Sequence, residues 1–300
     1  MERSGVIVID KHGGVTSNDI VMKIRRLFGT KKVGHTGTLD PMATGVLPVL
    51  VGRAAKAAEY LLADNKAYSA TLQLGLATDT QDTTGVTLTT CEELPTEAEV
   101  LRVAATFVGE SAQVPPMYSA LKVGGKKLVD LAREGIEVER AARPIVIHRL
   151  DVTPLCPEKG VYALEVKCSK GTYIRTLCHD IGAALGCGGA MSALRRVESG
   201  PFSLDQAYTV EALEAMTEEE RYGLLLPTEA LFRDREAVTL PDFYARLSRN
   251  GAEIYLKKIG LALPVGTPVS LYDRDGFYAI GTVRAYPDGD AIRTEKLFVL

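Results

Sequence analysis

The chain has 300 residues, more than one ordinary core organises, so a large domain followed by a smaller one is expected. With 46% hydrophobic and 24% charged residues the composition is that of a globular protein, and no apolar run approaches the roughly 20 residues needed to span a membrane. The net charge of −3 excludes a uniformly basic surface, yet residues 11–35 carry six Lys or Arg against Asp19, and residues 167–196 carry five against Asp180. Residues 205–253 hold eleven acids and five bases, so the charge is segregated and an anionic ligand stays compatible with the acidic total.

The opening MERSGVIVIDKHGG enters an apolar run without a signal-peptide cleavage pattern, and a cytoplasmic location is expected. Five cysteines (Cys91, Cys156, Cys168, Cys178 and Cys187) contain no CxxC pair and are odd in number. They read as reduced packing residues, with neither a disulfide framework nor a metal site.

In chain order, residues 5–9 read as a buried strand. Thr16 or Ser17 caps a helix over 18–28, with Ile20, Val21, Ile24 and Leu27 on one face, ended by Gly29. The glycine-rich stretch GTKKVGHTGTLDPMATG has neither helical nor strand periodicity and reads as a long loop, which in a compact domain is usually functional. A strand over 46–51 and an Ala-rich helix over 54–62 follow. Residues 68–74 alternate as a half-buried strand, and a polar turn, TDTQDTTG, comes next. Pro95 precedes a helix over 97–107. PPMYSALKVGGKK reads as a hairpin or excursion, with a short helix near 128–133. Strands are expected at 144–152, 161–168 and 190–198, and a helix at 172–185. The acidic stretch 205–236 suggests helices and a linker, and residues 238–300 a small β-rich barrel with Gly/Pro turns. The fold class expected is α+β, a mixed-sheet domain followed by a small β domain.

Within VGHTGTLDPMATGVLPV, Pro41 holds Asp40 away from helical geometry, and Gly34, Gly37 and Gly45 permit tight turns. On the residues alone, Asp40 either begins an ordinary Asp-Pro turn or is a carboxylate presented rigidly at a strand end.

GHTGTLDPMATGVLPV is similar to the signature of the TruB family, bacterial tRNA pseudouridine synthases that act on the T-loop. IDKHGGVTSNDIV resembles the family's opening element, KAYSATLQLGLATDTQDTTG its second motif, PPMYSALKVGGKKLVDLAREG its RNA-gripping insertion, and GTYIRTLCHDIGAALGCGGAMSALRRVESGPF its later motifs. The likeness runs in order over residues 5–202. Beyond it, the last sixty or so residues more weakly resemble a PUA-type domain. The resemblance implies a pseudouridine synthase domain over 1–235, with the insertion at about 115–143, and a PUA-like RNA-binding domain over 236–300. It places the catalytic aspartate on Asp40, the active-site tyrosine on Tyr68, the arginine on Arg175 and the apolar pocket residue on Leu194. His35 matches the histidine laid against the reorganised T-loop, and Tyr173 joins the substrate-binding set. Asp79 and Asp82 match acidic motif positions, with Asp82 favoured for a role facing the RNA. DKHGG stands where many relatives have DKP, a departure in the backbone beside Lys11.

The implied reaction isomerises the uridine at tRNA position 55. It breaks the C1′–N1 bond, turns the uracil and rejoins it through C5, so no atoms enter or leave and no cofactor is required. The carboxylate attacks C1′, adds to the ring, or removes the 2′ proton; the sequence does not choose. An ionised carboxylate in a closing site needs a permanent partner, which Arg175 supplies. The base must leave its stack, and Tyr68 offers a face for it. Lys11, Lys23, Arg25, Lys31, Lys32, Lys126, Lys127, Arg195 and Arg196 are candidates for phosphate contacts, so binding should weaken with salt. A monomer acting on the tRNA T-arm, with no membrane, metal or obligatory protein partner, is expected. The competing readings are an RNA-guided relative within a ribonucleoprotein, a tRNA-folding helper (a role that can accompany the chemistry), and a glycoside hydrolase using Asp40 and Asp82.

Overall fold

The computed structural model describes residues 3–61 and 65–299. A ten-stranded mixed sheet organises the larger part. Its order is Ala207–Tyr208, Gly5–Lys11, Thr44–Val51, Gly189–Ser199, Lys66–Leu74, Val161–Cys168, Arg143–Cys156 and Gly109–Gln113, with Val33–His35 and Phe202–Ser203 paired alongside. Gly189–Ser199 runs parallel to Thr44–Val51 and antiparallel to Lys66–Leu74, so the strand carrying Arg195 and Arg196 lies at the centre, between the two strands that flank the site.

The alternation over residues 68–74 is realised as burial. Tyr68, Ala70, Leu72 and Leu74 face the core while the residues between them are partly open, and Tyr162, Leu164, Val166 and Cys168 do the same on the neighbouring strand. Helix Ser17–Leu27 begins with a capping box in which Thr16 and Asp19 satisfy each other's backbone N–H groups. It buries Ile20, Val21 and Ile24 against one sheet face. Helix Ile174–Ala184 lies against Gly189–Ser199, and Gly182 makes that approach possible: a Cβ there would meet the Gly189 nitrogen at 2.1 Å. This close packing brings Arg175, near the start of the helix, to the site.

Several elements differ from expectation. The loop over residues 29–45 contains a short strand, Val33–His35, paired antiparallel with Thr44–Val51; the pairing partner is supplied from beyond the loop, so local periodicity could not reveal it. The Ala-rich segment is a 3₁₀ turn, Gly52–Ala57, followed by Ala58–Leu61, and Leu62 lies outside the described residues. Gly37 and Gly45 take positive φ, but Gly34 does not. At Gly45 a Cβ would fall 2.2 Å from the Arg196 carbonyl oxygen.

The second sheet joins Glu236–Thr239, Pro268–Asp273, Gly276–Arg284, Ala291–Leu297 and Ile254–Tyr255, and also carries a helix, Asp242–Arg249. It is not an independent bead. Phe277 stacks on both Phe232 and Phe298, which meet each other at a tilt, and with Leu231 and Ile280 they join a core cluster with Val6, Val8, Val46 and Leu50 from the rear of the large sheet. Lys56 donates to the Leu297 carbonyl and Lys296 pairs with Glu59 across the same junction.

Candidate active site

The Asp40 loop is held from three directions. Ser17, two per cent exposed, accepts a hydrogen bond from Leu39 N–H (2.8 Å) and donates to Leu39 C=O (3.0 Å), so both backbone groups of the residue before Asp40 are satisfied by one hydroxyl. Asp40 C=O accepts from Ala43 N–H at 3.1 Å, closing the Asp-Pro turn. Beneath it the Lys11 ammonium, fully buried, donates to the carbonyls of His12 (3.0 Å), Pro41 (3.2 Å) and Ala43 (2.6 Å). Burial pushes Lys11 down to about 8, with Arg196 adding to the effect and Asp40 opposing it. Lys11 is thus a strut under the loop, and its expected phosphate contact is corrected: all three donors are spent on carbonyls and none reaches solvent.

Arg175 faces Asp40 as a fork. Its Nε lies 2.8 Å from Oδ2 and its Nη2 3.2 Å from Oδ1. The remaining donors reach the carbonyls of Tyr118 (2.8 Å, from Nη2) and Thr80 (3.0 Å, from Nη1), with Asp82 Oδ2 at 3.8 Å from Nη1. Burial pushes the Asp40 carboxyl above the ordinary carboxylate value, Arg175 pulls it back, and the negative charge of Asp82 pushes in the same direction as burial. The Asp40 side chain keeps about a third of its surface open (34%), so the carboxylate is held yet accessible.

Asp82 itself is buried and inward. One carboxylate oxygen accepts from Thr80 Oγ1 (2.9 Å), Thr84 N–H (3.0 Å) and Thr84 Oγ1 (2.5 Å). Its expected RNA-facing role is therefore corrected, and the carboxylate pair that a hydrolase would need is bridged by Arg175 instead. Gln81, at φ 64°, is the non-glycine residue with positive φ among those described. Its side chain accepts from Thr176 Oγ1 at 2.7 Å, fixing the turn that aims Thr80 C=O at Arg175.

Asp40, Tyr68, Tyr173, Arg175 and Leu194 line one cleft of about 580 Å³, together with Lys66, Tyr118 and Arg196. Burial raises the Tyr68 phenol above its ordinary value, against the pull of neighbouring Arg196. Arg196 is also turned inward, donating to Val46 C=O (2.7 Å) and Gly37 C=O (3.1 Å), which corrects its assignment to phosphate. Arg195 is not among the residues that line this cleft and pairs with Asp10 at 2.7 Å. His35 sits at the loop's base; its Nδ1 accepts from Gly37 N–H at 3.3 Å, and burial lowers its proton affinity, so a neutral imidazole is present at pH 7. Lys31 and Lys32 line a separate cleft at the far end of Thr44–Val51. Among the described residues no cluster of three or more His, Cys, Asp or Glu is placed to hold a metal ion, and no helix is long and apolar enough to cross a membrane.

The site residues that sequence reasoning missed are Ser17, Tyr118 and Gln81. Ser17 reads as one of two alternatives for a helix cap; Tyr118 and Gln81 fall within the motifs around them, but their roles depend on partners far along the chain that those motifs do not name.

The mixed sheet with its C-terminal curled β domain defines the class: this is a pseudouridine synthase fold with a PUA-like domain. It superposes on a chain of a solved Cbf5–Nop10–Gar1 complex with a TM-score of 0.74 at 28% identity, covering 99% of this chain and 85% of that one. The chain belongs to the TruB family: the model of the TruB family pseudouridylate synthase N-terminal domain matches residues 25–174, and that of the tRNA pseudouridylate synthase B C-terminal domain matches 175–233. The tRNA pseudouridine synthase B of Aromatoleum aromaticum is 46% identical over 95% of this chain and 86% of that protein. That of Alkaliphilus oremlandii is 43% identical over 94% and 93%. The chain is accordingly a pseudouridine-forming enzyme with tRNA as its substrate.

Proposed function

We propose that the enzyme isomerises the T-loop uridine at position 55 of tRNA, acting on a base flipped into the Asp40 cleft. The observation that carries this reading is the fork between Arg175 and Asp40 in a cleft walled by Tyr68 and Leu194. A guanidinium cannot give up its charge at working pH, so it keeps the carboxylate ionised as RNA displaces water. Asp40 then acts on C1′, on the ring or on the 2′ proton. In each route the C1′–N1 bond breaks, the C1′–C5 bond forms, and C5 loses a proton while N1 ends protonated. Tyr68 stacks on the extruded uracil, an interaction of roughly 1–3 kcal/mol, and Leu194 closes the opposite wall. His35, neutral, fills the space the base has left. Exposed Lys31, Lys32, Lys126 and Lys127 meet phosphates. The enzyme works as a cytoplasmic monomer on bare tRNA, without cofactor or guide.

The test is conversion of an unmodified tRNA transcript by purified protein and by Asp40→Asn, mapped with pseudouridine-specific chemistry. Product at the T-loop uridine with the wild type, and none with the variant despite retained binding, is expected. Turnover by Asp40→Asn, or product elsewhere, would overturn the assignment. No product from the wild type without an added guide would instead point to the ribonucleoprotein reading.

A further inference from the structure

The insertion between Gly109–Gln113 and Arg143–Cys156 faces the cleft, but it is also tied to the Asp40–Arg175 pair at its root. Val129 N–H donates to Ser119 C=O (3.0 Å) and Leu128 N–H to Leu121 C=O (2.7 Å), so the first turn of helix Leu128–Arg133 is knitted to residues 119–121. The preceding residue, Tyr118, presents its carbonyl to Arg175 Nη2 at 2.8 Å, closer than the 3.2 Å from the same nitrogen to Asp40. At its other end the Tyr118 phenol donates to Asp79 Oδ2 (3.1 Å), while Asp79 Oδ1 accepts from Val86 N–H (2.7 Å). Tyr118 is thereby fastened between the turn after Lys66–Leu74 and the guanidinium itself.

We propose that Tyr118 is a positioning residue for Arg175, so that the seating of the insertion on Asp79 sets how squarely the guanidinium faces Asp40. The inference rests on the proposed reading of Asp40 and Arg175 as the reacting pair. Its physical basis is that a guanidinium is a rigid plane whose donors cannot be re-aimed singly. Nη2 divides its two hydrogens between Tyr118 and Asp40, so movement of the carbonyl turns the whole fork. The links form one contiguous chain from the insertion helix to the carboxylate. The groups facing that carboxylate are Arg175, Asp82 behind it, Lys11 below the loop, and Tyr68 and Tyr173 on the cleft walls. When the fork slackens, burial and Asp82 prevail and Asp40 takes up a proton more readily.

Tyr118→Phe removes the hydroxyl and keeps the ring. The expected result is an acid limb of the single-turnover rate displaced upward by about one pH unit, hence a loss of about tenfold on that limb. Most of the rate should return at alkaline pH, and tRNA affinity should change by less than about twofold. Asp79→Ala releases the same latch from its other end. It should move the limb likewise, and the double variant should be no worse than Asp79→Ala alone. An unmoved limb, whether the rate is normal or uniformly reduced, overturns the proposal, as does an effect confined to affinity. An active Asp40→Asn enzyme would sink the underlying site reading; an inactive one beside an unmoved Tyr118→Phe limb would sink this inference alone.

Discussion

Arg175→Lys is the perturbation that most directly examines the site. Lysine keeps the charge but offers one ammonium in place of a fork, so it cannot meet both Asp40 oxygens and also reach the carbonyls of Tyr118 and Thr80. Losing one arm of a charge-assisted pair removes about 1.5–3 kcal/mol. At 1.36 kcal/mol per tenfold, that is a fall of roughly 10- to 150-fold in the chemical step. The two carbonyls left short of a donor add a separate stability cost of about 1–3 kcal/mol each where they stay dry. The sign of the pH effect follows from the directions at Asp40. Its folded value already lies above the ordinary one because burial outweighs Arg175, so activity requiring the ionised form is lost as pH falls through that raised value. A weaker partner moves the loss to higher pH. The assay is single-turnover conversion with enzyme in excess over a full-length transcript, followed from acid to alkaline pH, with melting temperature measured in parallel. A variant of near-normal rate with an unshifted acid limb would refute the argument that the fork holds the carboxylate ionised.

Two further outcomes are expected. Ser17→Ala strips both backbone groups of Leu39 of their partner at a buried position, costing about 1–3 kcal/mol. It should slow turnover by about tenfold through misplacement of Asp40, and wild-type rates in a variant of lowered melting temperature would show that the clamp does not position the carboxylate. Lys11→Met should alter the pH dependence of stability. The folded Lys11 value of about 8 lies below its unfolded one, so the unfolded chain binds more protons between the two, and this group makes stability rise with pH from about 8 towards its ordinary value near 10.4. The wild-type minus Lys11→Met difference in unfolding free energy should therefore grow over that window, and a flat difference would contradict a desolvated ammonium.

The shared core between the two sheets affects how the C-terminal domain can be studied. Phe277, Ile280 and Phe298 cover Val6, Val46 and Leu50, so removing the chain beyond residue 235 uncovers apolar surface on the catalytic sheet. Such a deletion reads stability together with RNA affinity. Substitutions on the outward face of Asp242–Arg249, where Phe243 is 56% exposed, leave that junction intact.

What the sequence determined by itself was whatever depends on neighbours along the chain. The alternation from Tyr68 to Leu74, a helix cap at Thr16 or Ser17 that the structure resolves to Thr16, and the Asp-Pro turn among glycines each encode their own local geometry, and each is present. The density of the motifs around Asp40 and Arg175 also made the family legible. Tertiary structure decided where the long polar side chains point. Lys11, Arg196 and Asp82 all read as candidates for RNA contact, yet each turns inward, because a buried loop must satisfy its carbonyls and N–H groups and these side chains were the donors and acceptors within reach. Arg175 meets Asp40 across 135 positions and Tyr118 across 57. Nothing in the local residues of either partner specifies such a meeting; it depends on the helix bearing Arg175 lying against the central strand, an approach that Gly182 permits at its far end.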